Sequence, residues 1–330
     1  MTTTENGTSP QAASPLPAST AAASPVLALD VGATRIKAAV IAADGTRQAE
    51  LRHPTGRADG PDAVLARIAD VAATLGDAVY PEIGAGPGVV SAGLAVCGAV
   101  GPDGLVTAVN LGWDSVPAGD ALSKRLGLPV TVLNDAHAGA LGEGSFGAAR
   151  GMRDYLYVSL GTGIGAAIVK DGRVLRGDHG RAGELGHISV DQRGPECACG
   201  SRGCLETFMS AAALEARWRA AQGRPLTARE IIDQVINREP TATALWHEAI
   251  EALAEGLLTA MSLVDPAAIV LGGGLTGAGP RLIEPLTAAL AAHSRPFHAV
   301  AELRLASLGD WSGCAGAAVA ARNQLTCVPS

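Results

Sequence analysis

The sequence has no excess of positive charge. Its 25 Lys and Arg stand against 32 Asp and Glu, for a formal net charge of −7. A basic surface is the footprint of nonspecific nucleic-acid binding, so no nucleic-acid partner is expected. No secretory leader is expected. Residues 1–25 are rich in Ala, Ser, Thr and Pro with Glu5 as the only charge, and offer neither a basic start nor an apolar run. They read as a disordered tail. No membrane span is expected either. Ile83–Pro102 is uncharged, but its glycines and prolines suit loop–strand–loop better than a membrane helix. There is no Walker A ending in Gly-Lys-Ser/Thr, and no Rossmann fingerprint with an acid at the right distance. Cysteines number six, three of them between positions 197 and 204. Cys97, Cys314 and Cys327 are scattered in apolar contexts and read as free thiols of a reducing, cytoplasmic compartment.

What is present is a chain of 330 residues, 48% hydrophobic and 17% charged, with 42 glycines. That is enough to bury a sizeable core in one large or two ordinary domains. Val26–Asp30 reads as an apolar strand ending in an acid, followed by the turn Gly32-Ala33-Thr34 and a second strand over Ile36–Ala42. Asp44-Gly45 signals a hairpin into a third strand near Gln48–His53. Val64, Leu65, Ile68, Val71 and Leu75 recur at helical spacing. Val89–Val96 is a buried strand and Asp120–Leu126 a helix. Val130–Leu133 is a strand that delivers Asn134-Asp135 at its end, before a small-residue helix over Ala136–Leu141.

The pattern then restarts. Tyr155–Leu160 is a strand, Gly161–Gly165 a turn, Ala166–Lys170 a strand and Asp171-Gly172 another hairpin signal. Two halves with the same opening imply duplication of one α/β unit. Thr227-Ala228-Arg229-Glu230 is a capping box. A long helix carries Trp246, Ile250, Leu253, Leu257, Met261 and Val264 on one face and stops at Asp265-Pro266. Ile269–Leu271 is a buried strand running into Gly272-Gly273-Gly274, then come a helix over Leu282–Ala292, a strand over Glu302–Ala306 and a helix over Cys314–Asn323.

Chemistry concentrates in residues 161–206. Three Gly-rich turns follow apolar strands, after Asp30, Leu160 and Leu271. Such turns let backbone N–H groups approach phosphate. Phosphate turns in both halves fit a nucleotide held between domains. Cys197, Cys199 and Cys204 share one Gly-rich loop, with His187 upstream, a set that suits tetrahedral zinc. Asp191 or Glu196 could replace His187 in that set, and free or disulfide-bonded cysteines are the alternative to a metal.

These residues resemble the ROK family of sugar kinases and regulators (repressor, open reading frame, kinase), and its glucokinases most. The similarity runs from about Val26 to the helix near the C-terminus. GELGH at Gly183–His187 and CACGSRGCLE at Cys197–Glu206 match the family's signature region. The first phosphate motif is Asp30-Val31-Gly32-Ala33-Thr34-Arg35, where the family has a second Gly and a Lys. Cys97-Gly98 replaces the family's Pro-Gly in the sugar loop. The resemblance implies an α/β fold of two actin-like (ribonuclease H-like) domains around a central cleft. Residues 26–134 with 312–330 would form the smaller domain, and 135–311 the larger one with the zinc loop.

The resemblance further implies ATP-dependent phosphorylation of the 6-hydroxyl of glucose by a homo-oligomer, dimer or tetramer. Another hexose (mannose, fructose or an N-acetylhexosamine) and a sugar-sensing regulator are the alternatives. Regulators of the family carry a helix-turn-helix domain, which about 25 Pro-containing residues are too few to form. Asp135 matches the catalytic base. Asn110, Asn134, Glu184, His187 and Glu206 match sugar ligands. Asp30, Gly32, Thr34, Gly161, Thr162, Gly163, Gly272 and Gly273 match the nucleotide side, with Mg2+ on the phosphates. His187, Cys197, Cys199 and Cys204 match the ligands of a structural Zn2+. One ring nitrogen of His187 would hold the metal while the other meets the sugar. His137 and His179 read as structural or surface residues.

Overall fold

The computed structural model describes residues 24–79 and 88–326. Apart from Ser24 and Pro25, the expected tail lies outside these residues, as do Cys327 and the first part of Ile83–Pro102. The chain opens with a meander, β1 (Val26–Val31), β2 (Arg35–Ile41) and β3 (Arg47–Pro54), turning at the two glycine-containing sites expected from sequence. Helix α1 (Pro61–Val79) then crosses to β4 (Ala92–Val96). A small three-stranded sheet follows, β5 (Ala99–Val100), β6 (Val106–Ala108) and β7 (Trp113–Val116), and then α2 (Ala118–Leu126), β8 (Val130–Asn134) and α3 (Asp135–Phe146).

The main sheet of this half has the order β3-β2-β1-β4-β8. Its first three strands are antiparallel, whereas β4 and β8 run parallel to β1. Parallel neighbours need a crossover, which α1 and α2 supply. All six residues of β1 are buried, as a central strand covered on both faces requires. At the edge, β3 is mostly exposed.

The second half repeats the plan. It begins with β9 (Tyr155–Leu160), β10 (Ile164–Lys170) and β11 (Arg173–Val174), and continues through α4 (Glu206–Met209), α5 (Ala211–Gln222), α6 (Ala228–Ile236) and α7 (Pro240–Val264). It closes with β12 (Ala268–Gly272), α8 (Pro280–His293), β13 (Glu302–Leu305) and α9 (Ser312–Thr326). The sheet order is β11-β10-β9-β12-β13, with the same pairing senses as in the first half. The duplication expected from the two openings is thus present in the topology, and the fold is α/β of the expected kind.

Local signals act where sequence placed them. Thr227 closes the capping box with Glu230. Asp265 ends α7 in the left-handed region, at φ 42°, immediately before Pro266. The departures come from packing. The helix expected over Ala136–Leu141 continues to Phe146 through Gly142 and Gly144. Helix α5 and the small sheet were not anticipated.

Helix α9 returns to the first half and lies against α3, β1 and β4. The approach to α3 is backbone to backbone, since a Cβ on Gly316 would sit 1.7 Å from the Ala138 carbonyl oxygen. Trp311, Cys314, Ala317, Ala318 and Ala321 there share one core with Val26, Ala28, Ala39 and Ile41.

Candidate active site

Strand β8 ends where α3 begins, and the two residues at that junction divide the work. Asn134 is the N-cap of α3: its side-chain oxygen accepts from the N–H groups of Ala136 (2.9 Å) and His137 (3.1 Å). Its amide nitrogen donates to the Gly98 carbonyl at 3.0 Å, tying the strand end to the Cys97-Gly98 loop. Capping thus falls to Asn134, which leaves Asp135 in the first helical turn, accepting from Ala136 N–H at 2.9 Å. Burial, with the Asp30 and Glu184 carboxylates adding to it, pushes Asp135 up to about 7. Cys97 feels the same surroundings: burial, then the charges of Asp135 and Asp30, push its thiol up to about 12.

Asp30, at the end of β1, pairs with Lys37 at 2.7 Å. Lys37 also donates to the Asp310 carbonyl at 2.7 Å. Burial opposes the Lys37 charge, but Asp30 outweighs it and its pKa is raised. The turn after Asp30 is closed by Gly32 N–H donating to Arg35 O (3.0 Å), and Thr55 Oγ1 holds the Gly32 carbonyl at 2.7 Å. Thr34 is exposed at its tip.

In the second half, Gly161 N–H donates to Gly163 O at 3.0 Å, with Thr162 exposed between them. Gly273 packs against the Leu160 carbonyl, so the turn carrying Gly272 and Gly273 lies beside this one. Ala211 N–H, at the start of α5, donates to Gly161 O at 2.8 Å. Glu206 reaches the same place through its side chain, accepting from Ile164 N–H at 2.7 Å. A Cβ on Gly163 would fall 2.5 Å from the Glu206 carboxylate, so glycine is what admits it. Residues expected on the sugar and nucleotide sides therefore touch here.

Glu184 and His187 are exposed on one short turn, and His187 N–H donates to the Glu184 carbonyl at 3.0 Å. His187 Nδ1 lies 3.7 Å from Cys197 Sγ, and Cys199 Sγ lies 3.6 Å from Cys204 Sγ. All four ligand atoms are within 4.8 Å of one another. Ordinary Zn–S and Zn–N bonds at tetrahedral angles put two sulfurs about 3.8 Å apart, and a sulfur and a nitrogen about 3.6 Å apart. The cluster fits such an ion, with Nδ1 toward the metal and Nε2 left over. Burial and the neighbouring sulfurs push Cys204 up to about 12. Asp191 and Glu196 are engaged elsewhere: Asp191 accepts from Arg193 N–H at 2.9 Å, and Glu196 pairs with Arg202 at 2.8 Å. Among the described residues, Cys197, Cys199 and Cys204 are free thiols with no disulfide joining them.

Asn110 stands on the exposed 109–111 turn beside the small sheet, where its carbonyl accepts from Arg57 at 3.2 Å. Among the described residues, no hydrogen bond joins it to the Asp135 group. His137 is buried with Nε2 3.3 Å from the Ala182 carbonyl, and burial lowers its pKa, as suits a structural residue. Lys37 and Glu143 were missed from sequence. An acid two residues before a Gly turn can signal a partner lysine on the next strand, but nothing local marks Glu143 as buried.

A model described as the ROK family matches residues 26–324. The chain belongs to that family. A glucokinase of Halalkalibacterium halodurans is 32% identical over 306 residues, covering 87% of this chain and 92% of the relative. A ROK-family glucokinase of Streptomyces griseus, solved with glucose and AMPPNP, is 29% identical at a TM-score of 0.80, covering 91% of this chain and 99% of that one. An N-acetyl-D-glucosamine kinase of Haemophilus influenzae is 33% identical over 303 residues, 88% of this chain and 97% of the relative. A xylose repressor of Bacillus subtilis is 31% identical over 201 residues, 60% of this chain and 52% of the repressor. The architecture is that of the actin-like ROK sugar kinases.

Proposed function

We propose that the chain is an ATP-dependent hexokinase that phosphorylates the 6-hydroxyl of glucose, with Asp135 as general base. The observation that carries this reading is a half-buried carboxylate, held at a helix start, whose proton affinity is poised near neutrality. A sugar hydroxyl is a poor nucleophile. A base with a pKa near the working pH can take its proton as the oxygen–phosphorus bond forms and ADP leaves. Asn134 fixes the helix start that aims Asp135. Asp30, Gly32, Thr34, Gly161, Thr162, Gly163, Gly272 and Gly273 form the nucleotide side. Asn110, Asn134, Glu184, His187 and Glu206 hold the sugar, with Asn110 entering from its own turn.

Two groups accompany this reading. Zinc on His187, Cys197, Cys199 and Cys204 would be structural, orienting His187 through Nδ1 so that Nε2 faces the sugar. A divalent cation would arrive with the nucleotide, on its phosphates. Mg2+ there would offset charge on the transferring phosphoryl group. The division into residues 26–134 with 312–330, and 135–311, is supported by which strands each sheet holds. A cytoplasmic location belongs to the same reading; no described helix is long and apolar enough to cross a membrane. A dimer or tetramer completes the proposal.

The test is a sugar panel with ATP, read as ADP release. Glucose should give the highest kcat/KM, mannose less, and N-acetylglucosamine little, because a site built for particular hydroxyls penalises analogues that leave its polar groups unpaired. A higher kcat/KM for an N-acetylhexosamine or fructose would keep the kinase but remove the glucokinase. A sugar-sensing regulator is the second reading, favoured by the repressor match. Sugar-dependent DNA binding without turnover would establish it instead.

A further inference from the structure

The chain crosses between its two main sheets twice. It leaves β8 through α3 and residues 147–154 into β9, and returns from β13 through residues 306–311 into α9. Both crossings converge on one fully buried carboxylate, Glu143, near the end of α3. Its Oε2 accepts from Ala148 N–H on the outgoing crossing at 2.8 Å. The same oxygen takes Ser307 N–H at 3.0 Å and faces Ser307 Oγ at 3.4 Å on the returning one. Its Oε1 takes Leu308 N–H at 3.0 Å and Ser312 Oγ, the first residue of α9, at 2.7 Å. Arg304 adds a second tie, donating to the Ala148 carbonyl at 2.9 Å. A few residues on, Asp310 is held by the first sheet through Lys37 and Arg52.

We propose that Glu143 is the pin of a hinge between the two halves, and through α3 a positioning residue for Asp135. A carboxylate that accepts from several N–H and O–H donors is a strong, directional anchor. Gathering both crossings on it leaves the halves free to turn about this point but not to slide. Eight steps along the helix lead from Asp135 to Glu143, about 12 Å along the axis. A turn about the pin is therefore delivered to the base at the far end of a rigid rod. Only the link to turnover rests on the kinase reading.

The test uses the whole chain, as purified, with Glu143→Gln and Glu143→Asp. Gln keeps the size but presents an N–H group where donors converge. Native-state hydrogen exchange should speed roughly 10- to 100-fold at Ala148, Ser307 and Leu308, while Val26–Val31 and Tyr155–Leu160 stay near wild type. At a temperature where the variant is fully folded, kcat should fall about tenfold or more, with Asp recovering part of it. If Gln does not fold, Ser307→Ala and Ser312→Ala remove one donor each and should give the same local pattern, smaller in size. Unchanged exchange, or acceleration spread evenly over both sheets, would overturn the pin. Local acceleration with unchanged kcat would overturn the positioning role. The exchange arm needs no substrate, so it stands or falls separately from the sugar panel.

Discussion

Asp135→Asn is the sharpest perturbation of the site. Asn keeps the side-chain oxygen that accepts from Ala136 N–H, so the helix start survives while the base is lost. In the wild type, Asp135 sits at about 7 against an ordinary 3.8. The acid limb of kcat/KM, which reports the free enzyme, should therefore fall near pH 7, with activity at pH 6 about one tenth of its plateau. The variant should lose at least ~10²-fold in kcat at pH 7.5. Stability moves the opposite way. A carboxyl whose folded pKa is raised binds its proton more tightly when folded, so the wild type loses stability as pH rises from about 4 to about 7. Three pK units set an upper bound of about 4 kcal/mol on that loss, and the partial exposure of Asp135 reduces it. The Asn variant should thus melt higher than wild type at pH 8, with the difference shrinking toward pH 4. Coupled ADP-release assays across pH and parallel melting curves measure both. Turnover within threefold of wild type, or an acid limb near pH 4, would refute the reasoning.

Other outcomes follow from neighbouring contacts. Lys37→Met leaves Asp30 uncompensated beside Asp135, so the acid limb of the kcat/KM profile should move to higher pH; an unmoved limb would mean the two carboxylates do not communicate. Elemental analysis of protein purified without added metal should find about one zinc per chain. Cys199→Ser should lose it and raise the sugar KM, and full zinc content would remove Cys199 from the ligand set. Gly316→Ala drives a methyl into the Ala138 carbonyl and should cost about 1–3 kcal/mol or more, read as a lower melting temperature; a neutral change would mean α9 can retreat from α3.

Much of this was legible in the chain because it is local. A Gly turn after an apolar strand, a capping box and an Asp-Gly hairpin act within a few residues, and the structure realises each. The Cys197–Glu206 loop was legible for the same reason, since its three cysteines lie within eight residues of sequence. The rest depends on distant partners. Glycines 142 and 144 read as helix breakers until α9 is packed on Gly142 and Tyr155 on Gly144, when small size matters more than intrinsic propensity. Glu143 looks like any surface glutamate until residues 307–312 fold over it. The Glu206 contact with Ile164 N–H joins positions 42 residues apart and has no sequence signature.

The return of α9 to the first half also bears on how the molecule is made. The core around Val26, Ala28, Ala39 and Ile41 is finished by Trp311, Cys314, Ala317, Ala318 and Ala321. The half that is synthesised first is thus completed last, after the other half has had its chance to form. Until residues 312–326 leave the ribosome, one face of β1 and β4 waits for its cover. The nascent chain carries an open apolar surface for most of its synthesis, a state in which chaperone capture and aggregation compete with folding. Domain order along the gene is therefore not the order of folding.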